Sequence, residues 1–198
     1  MIFTSKSRNN TAKSLERPPL YNMMLNNTAS TKILTQPKNT INQIKPSDRE
    51  RMTWGAPTWT LFHMIPEKVT HTNFIKYKDS VIRVIVTICN NLPCPSCSQH
   101  ASEYMKKVNF SSIRTSEDLK KMLFNFHNLV NQRKGYAQYS YDDMIKYVDL
   151  DSTTVINEFM YHFQKKIYAP NLMAQQIYRQ KQVEVVKAWF RENLHIFQ

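Results

Sequence analysis

The chain has 198 residues, with 27 Lys and Arg against 15 Asp and Glu, a formal net charge of +12, and two glycines. Gly55 and Gly135 are too few for a dinucleotide fingerprint or a P-loop, whose tight turns against phosphate need clustered glycines. Repeated tight hairpins are disfavoured for the same reason, so an all-α protein is expected.

Residues 1–47 hold +6 of the net charge and are rich in Ser, Thr, Asn and Lys, with Pro18, Pro19, Pro37 and Pro46 and no sustained apolar period. They are expected to form a disordered basic arm. The remainder is only mildly basic, so nucleic acid is not an expected partner. The longest apolar run, around Val84 to Ile88, falls far short of the roughly 18 residues of a membrane span. The first residues lack the apolar core and cleavage site of a secretory signal, so none is expected.

Helical patterning begins near Asp48. Pro57 suits the first turn of a helix carrying Trp59, Leu61, Phe62, His63 and Ile65, with Pro66 expected to kink or end it. A longer helix is predicted from about Asn73 to Asn91, with Phe74, Tyr77, Val81, Val84, Ile85 and Ile88 on one stripe. Pro93 stops it, and Pro95 opens a third helix to about Lys107. Thr115, followed by Glu117 and Asp118, caps a fourth helix with Leu119, Met122, Leu123, Phe126 and Val130 in register, and Gly135 is its expected stop. Shorter helices are predicted over residues 141–148 and 153–166. A last amphipathic helix, with Val183, Val186, Trp189, Phe190 and Leu194 on one face, either packs on the bundle or forms a dimer or partner surface. The boundaries expected are an arm (1–47), a helical domain (48–150) and a helical extension (151–198).

The three cysteines, Cys89, Cys94 and Cys97, are too few for a disulfide scaffold. Cys94-Pro95-Ser96-Cys97 starts a helix, where free N–H groups and the positive end of the macrodipole stabilise a thiolate, the species that attacks disulfides. Two intervening residues let the pair close reversibly. A structural zinc site is the competing reading. It would draw on Cys89, Cys94, Cys97 and a histidine such as His100, in spacing unlike a usual pair of zinc knuckles. On that alternative the chain is a non-enzymatic zinc or scaffold module whose basic arm binds nucleic acid or an acidic partner. Cys89 itself reads as a buried helix residue.

Three blocks carry a resemblance. Arg51 to His63 follows R-x-x-W-G-x-x-x-W-x-L-x-H, Pro93 to His100 follows P-C-x-x-C-x-x-H, and His127 to Asn131 follows H-N-x-V-N. Singly, Trp54 and Trp59 read as core aromatics and His63 or His127 as a satisfied histidine; in this order they resemble the Erv/ALR family of FAD-linked sulfhydryl oxidases, compact viral members above all. The resemblance covers about residues 48–150. It implies a four-helix bundle with a short fifth helix that holds FAD without a glycine loop. Arg51, Trp54, Gly55, Trp59 and His63 match the flavin-contacting block, with Gly55 allowing close approach, and His100 matches the histidine one turn past the cysteine pair. His127, Asn128 and Asn131 match the adenine and ribose-phosphate contacts, and Lys134, Tyr141, Lys146 and Tyr147 fall where further cofactor contacts lie. No metal is implied.

By resemblance, the catalytic pair Cys94 and Cys97 oxidises protein thiols to disulfides and passes electrons through FAD to O2, giving H2O2. Cys94 is the sulfur met by substrate and Cys97 the one nearest the flavin. The expected partners are a protein dithiol substrate or a thioredoxin-like relay protein, O2, and a second copy in a homodimer. The expected setting is the host cytoplasm, a viral factory or the virion. Many members carry a second structural cysteine pair and a shuttle pair in a tail, whereas no cysteine lies outside positions 89–97 here. The run Gln132 to Tyr136 also departs from the usual L-G-K-P.

Overall fold

A computed structural model of the protein describes residues 53–165 and 173–197; the arm and Arg51 lie outside them. Among the described residues the regular structure is helical, without strands: α1 (Gly55–Lys68), α2 (His71–Asn90), α3 (Pro95–Lys107), α4 (Ser116–Lys134), α5 (Ser152–Phe163) and α6 (Met173–Asn193). Short 3-10 turns cover Phe110–Ser112, Asp142–Tyr147 and Leu194–Phe197.

The strongest termini obey local rules. The Thr115 hydroxyl accepts a hydrogen bond from the Asp118 N–H and the Asp118 carboxylate accepts one from the Thr115 N–H, a full capping box with two acidic residues in the first turn of α4. Gly135 ends that helix at φ 68°, the left-handed conformation a side chain resists. At α2 the cap is Thr70, whose hydroxyl accepts from the Asn73 N–H, and at α5 it is Asp151, accepting from the Thr154 N–H at 2.7 Å.

Pro66 does not end its helix. It sits in the last turn of α1, where its ring costs one bond to the Phe62 carbonyl, and the Val69 N–H still closes on Ile65 O at 3.1 Å. The helix expected over 141–148 is instead the 3-10 turn Asp142–Tyr147, in which Met144 and Tyr147 are buried and the residues between them exposed.

The core is built around α1. Leu61, Phe62, Met64 and Ile65 are essentially inaccessible and sit in one cluster with Phe74, Ile85 and Ile88 of α2 and Leu119 and Leu123 of α4. Phe159 and Phe163 of α5 and Val183, Val186 and Phe190 of α6 belong to the same cluster. The last helix therefore packs on the bundle: the Trp189 indole donates to Ser80 Oγ of α2 at 2.5 Å, and the Ser152 hydroxyl donates to the Phe197 carbonyl. Among the described residues no helix is long and apolar enough to cross a membrane.

Candidate functional site

The cysteine pair sits where α2 hands over to α3. Asn91 ends α2, Pro93 is buried, and Pro95 takes the first helical position, so Cys94 becomes the N-cap of α3. Its sulfur accepts from the Cys97 backbone N–H at 3.3 Å and lies 3.2 Å from Ser96 Oγ. The Cys97 thiol, followed by these two groups, favours the Cys94 anion and draws its pKa down to about 5, against the effect of partial burial. The Cys97 thiol moves the other way, because its proton is held by the Cys94 sulfur and it is partly buried. At neutral pH the pair thus carries one thiolate and one thiol, with the anion on Cys94. Lys134 adds a weaker cationic pull on both sulfurs.

Cys89, five positions earlier, is fully buried on α2, and burial pushes its thiol far above the ordinary range. It is a core residue. Among the described residues no group of three His, Cys, Asp or Glu side chains is placed to hold a metal ion.

A second cluster lies behind the first. Trp59 on α1 stacks on His127 of α4, with ring centroids 4.0 Å apart and planes 9° from parallel. His63, one turn along α1, bonds His127 through Nε2 and Nδ1 at 2.8 Å. Tyr139 lies nearly parallel to His63 at 6.0 Å and faces His127 at 5.1 Å, and its hydroxyl meets that of Tyr147 at 3.0 Å. Burial is the main reason both imidazoles lose basicity, His63 falling to about 3 and His127 to about 4, with the Lys146 charge adding to each. Both rings are therefore neutral at pH 7, and one donates its single N–H to the bare nitrogen of the other.

This stack forms one wall of a cleft of about 840 Å³, a volume typical of ligand sites. Gly55, Trp59, His127, Asn131, Lys146 and Tyr147 line it, together with Tyr139. A narrow crevice of about 40 Å³ shares Gly55 and Trp59 with the cleft and reaches Trp54, Lys134 and Cys97. The thiol pair and the cleft therefore adjoin across Gly55 and Trp59. A Cβ built on Gly55 meets no atom within 4 Å, so the bundle does not need glycine there; the missing side chain leaves open space on the wall between cleft and sulfur.

The structure thus gathers Trp54, Gly55, Trp59, His127, Asn131, Lys134, Lys146 and Tyr147 with Cys97 around two adjoining cavities. His63 is fully buried behind the wall, with no partner for its Nδ1, and acts on the cleft through His127. Asn128 spends its amide on backbone: its Nδ2 donates to Tyr139 O at 3.0 Å and its Oδ1 accepts from the Tyr139 N–H at 2.7 Å. It fixes the residue that faces the stack. Asn131 does the same more weakly, donating to Ala137 O.

Two predicted residues stand apart. Tyr141 turns towards the start of α4, where its hydroxyl donates to Glu117 at 2.5 Å, and His100 is exposed in a separate groove with Tyr104 and Leu129. Tyr139, which sequence reasoning missed, faces the imidazole stack and lines the cleft. It lies in a segment without helical period, so nothing in the sequence ranks it above Tyr136 or Tyr141.

The donor set suits a flavin nucleotide. Parallel aromatic and imidazole faces offer stacking to planar rings. Lys134 and Lys146 supply cationic groups for phosphate, and the bare Gly55 leaves room at the edge facing sulfur.

The profile of the Erv1 / Alr family matches residues 56–149. The chain is 30% identical over 108 residues to the FAD-linked sulfhydryl oxidase of African swine fever virus (isolate Tick/Malawi/Lil 20-1/1983), covering 54% of this chain and 87% of that protein. It is 34% identical over 80 residues to the protein of the same name from isolate Pig/Kenya/KEN-50/1950, covering 40% of this chain and 66% of that protein. With the probable FAD-linked sulfhydryl oxidase of Vaccinia virus (strain Copenhagen) it shares 27% identity over 89 residues, covering 45% and 87%. No solved structure matches at the same stringency.

Proposed function

The chain belongs to the Erv1 / Alr family, and from that premise we propose that it oxidises protein dithiols at Cys94 and Cys97 and delivers their electrons to dioxygen as hydrogen peroxide. It is a thiol oxidase linked to FAD, of the kind named in its viral relatives. The observation that carries the assignment to this cysteine pair is the crevice joining Cys97 to Trp54, Gly55 and Trp59 at the edge of the cleft.

In the disulfide form of the pair, a substrate thiolate attacks the Cys94 sulfur, forming a mixed disulfide and releasing Cys97 as a thiolate. A second substrate thiolate attacks the substrate sulfur of that mixed disulfide, forming the substrate disulfide and releasing the Cys94 thiolate. The low basicity of Cys94 makes it the better leaving group in this second step. Cys97 is then the sulfur that lines the crevice adjoining the cleft. FAD, when bound, supplies the two-electron acceptor for the dithiol. The stack of Trp59, His127 and Tyr139 with Tyr147 would hold its rings, and Asn131, Lys134 and Lys146 its polar groups. Overall, two thiols and one O2 give one disulfide and one H2O2.

The substrate thiols come from a protein dithiol or a thioredoxin-like relay protein, and the reading extends to a homodimer working in the host cytoplasm, a viral factory or the virion. Purified protein is expected to be yellow and to consume oxygen when given dithiothreitol. The Cys97→Ser protein keeps the flavin absorbance and loses turnover. A colourless, correctly folded preparation that takes up zinc overturns the reading.

A further inference from the structure

Between the cysteine loop and the start of α6 lies a groove of about 690 Å³ that shares no lining residue with the cleft. One wall is the loop itself, with Pro93, Pro95 and Ser96, and the other is the first two turns of α6, with Ala174, Gln175 and Tyr178. This second wall lies outside the family match, which stops at residue 149. Ser96 ties the groove to the chemistry: it lines the groove, and its Oγ is 3.2 Å from the Cys94 sulfur.

The base is fixed by Arg179. Buried on α6, it donates from Nε to Asn91 O at 3.0 Å, from Nη1 to Lys165 O at 3.3 Å and from Nη2 to Phe163 O. These carbonyls lie at the ends of α2 and α5, where unpaired acceptors and the negative ends of two helix dipoles receive a cation. The clamp locks α6 to the residue three positions before Cys94. It also occupies the single charged side chain among the described residues lining the groove; the rest are amides, hydroxyls, prolines, Leu92, Ala174 and Tyr178.

We propose that this groove seats an extended, uncharged stretch of the substrate polypeptide next to its reacting cysteine, so that α6 selects polypeptide thiols over small ones. The occupant follows from three observations: Ser96 on the groove wall touches the Cys94 sulfur, the described lining residues present amides and an aromatic ring with their single cation already bound to backbone carbonyls, and the volume suits a short segment. The proposal rests on Cys94 being the sulfur that meets substrate.

The test uses the full-length Cys97→Ser protein, whose Cys94 exchanges with disulfides without any need for turnover. Cys94 thiolate attacks the peptide sulfur of a pyridyl-disulfide octapeptide bearing a central cysteine and uncharged neighbours. That forms the Cys94–peptide disulfide and releases thiopyridone, which is read by absorbance. The same exchange with 2,2′-dithiodipyridine reports the intrinsic reactivity of Cys94. Ala174→Trp, an exposed position on the α6 wall, is expected to slow the peptide reaction about tenfold or more while the small disulfide stays within about twofold. Tyr178→Ala gives a smaller loss of the same kind, and Val185→Trp, an exposed site of α6 outside the groove, changes neither. Equal peptide rates in the parent and Ala174→Trp proteins overturn the proposal, as does an equal fall with both disulfides. A change of oligomeric state on Ala174→Trp with unaltered peptide exchange assigns the groove to a second copy, and also overturns it. Because this readout involves no oxygen uptake, failure of oxidase activity and failure of the groove are separately visible.

Discussion

The thiol mouth and the imidazole cleft adjoin across Gly55 and Trp59, and Cys94 in the one and the two histidines in the other all have lowered pKa values, yet they end with opposite charge states. At the mouth, hydrogen bonds from Cys97 and Ser96 draw Cys94 to about 5, leaving it charged at pH 7. In the cleft, burial takes His63 to about 3 and His127 to about 4, leaving them uncharged. An acid that becomes an anion is poised by donors; an acid that starts as a cation is silenced by desolvation. Cys89 completes the lesson, because a thiol given burial without donors shifts the other way. One region is thus made reactive and the other inert and shape-holding.

The largest effects should come from separating the two. Cys94→Ser is expected to lower oxidation of protein thiols by about 10³-fold or more, the scale of losing a covalent catalytic group, with flavin absorbance retained. His127→Ala is expected to do the converse. It empties the protein of flavin yet leaves iodoacetamide labelling of Cys94 within about threefold, since the imidazole is not among the groups that hold the thiolate. If His127→Ala slows labelling as much as it depletes flavin, the two regions are one electrostatic unit.

Next in size is the pH profile of labelling. Alkylation of Cys94, followed by mass spectrometry of the peptide, should rise with a midpoint near pH 5 and fall about tenfold per unit below it, while Cys89 labels only in denaturant. A midpoint near the ordinary thiol value would remove the mouth's half of the contrast.

The cleft's half is read from stability. His63 and His127 have folded pKa values below the unfolded 6.5, so the unfolded chain binds more protons between those values. Their contribution is complete above about pH 6.5. It is lost progressively as pH falls through the window from 6.5 to about 3 for His63 and about 4 for His127. Urea midpoints measured from pH 7 to pH 4 should fall accordingly, and less so in a His63→Gln protein.

The smallest effect is the most pointed. Lys134 lowers both Cys94 and His127, as a minor contributor to each. Lys134→Gln should therefore raise the labelling midpoint slightly and raise the folded pKa of His127 slightly, so that the acid loss of stability ends at a higher pH and is slightly smaller. A rise in only one of the two would show that the charge does not reach across Trp59.

Much of this was legible from residue order. The capping box at Thr115, the stop at Gly135 and Pro95 at the head of α3 are local signals, and all three elements stand where the spacing puts them. Trp59, His127 and Asn131 meet because helical spacing and block order bring α1 and α4 face to face. Residues 136–147 were less legible. The loop has no period to fix which tyrosine turns inward, and the decision falls to Asn128, whose amide grips the backbone of Tyr139. His100 keeps its spacing from the cysteines and lines a groove separate from the cleft, a placement that spacing alone does not reveal. Pro66 passed inside a helix because position in the last turn outweighs residue type.

The shared core has a consequence for how this protein can be divided. Phe159, Phe163, Val186 and Phe190 lie beyond the family match and fill the same interior as Leu61, Phe62 and Ile65. A gene cut at residue 149 would keep every cysteine and every cleft residue and still strip the supporting face of α1 bare. The catalytic parts list and the folding unit are of different lengths. Grafting, trimming or recombining this oxidase should treat α5 and α6 as part of its foundation.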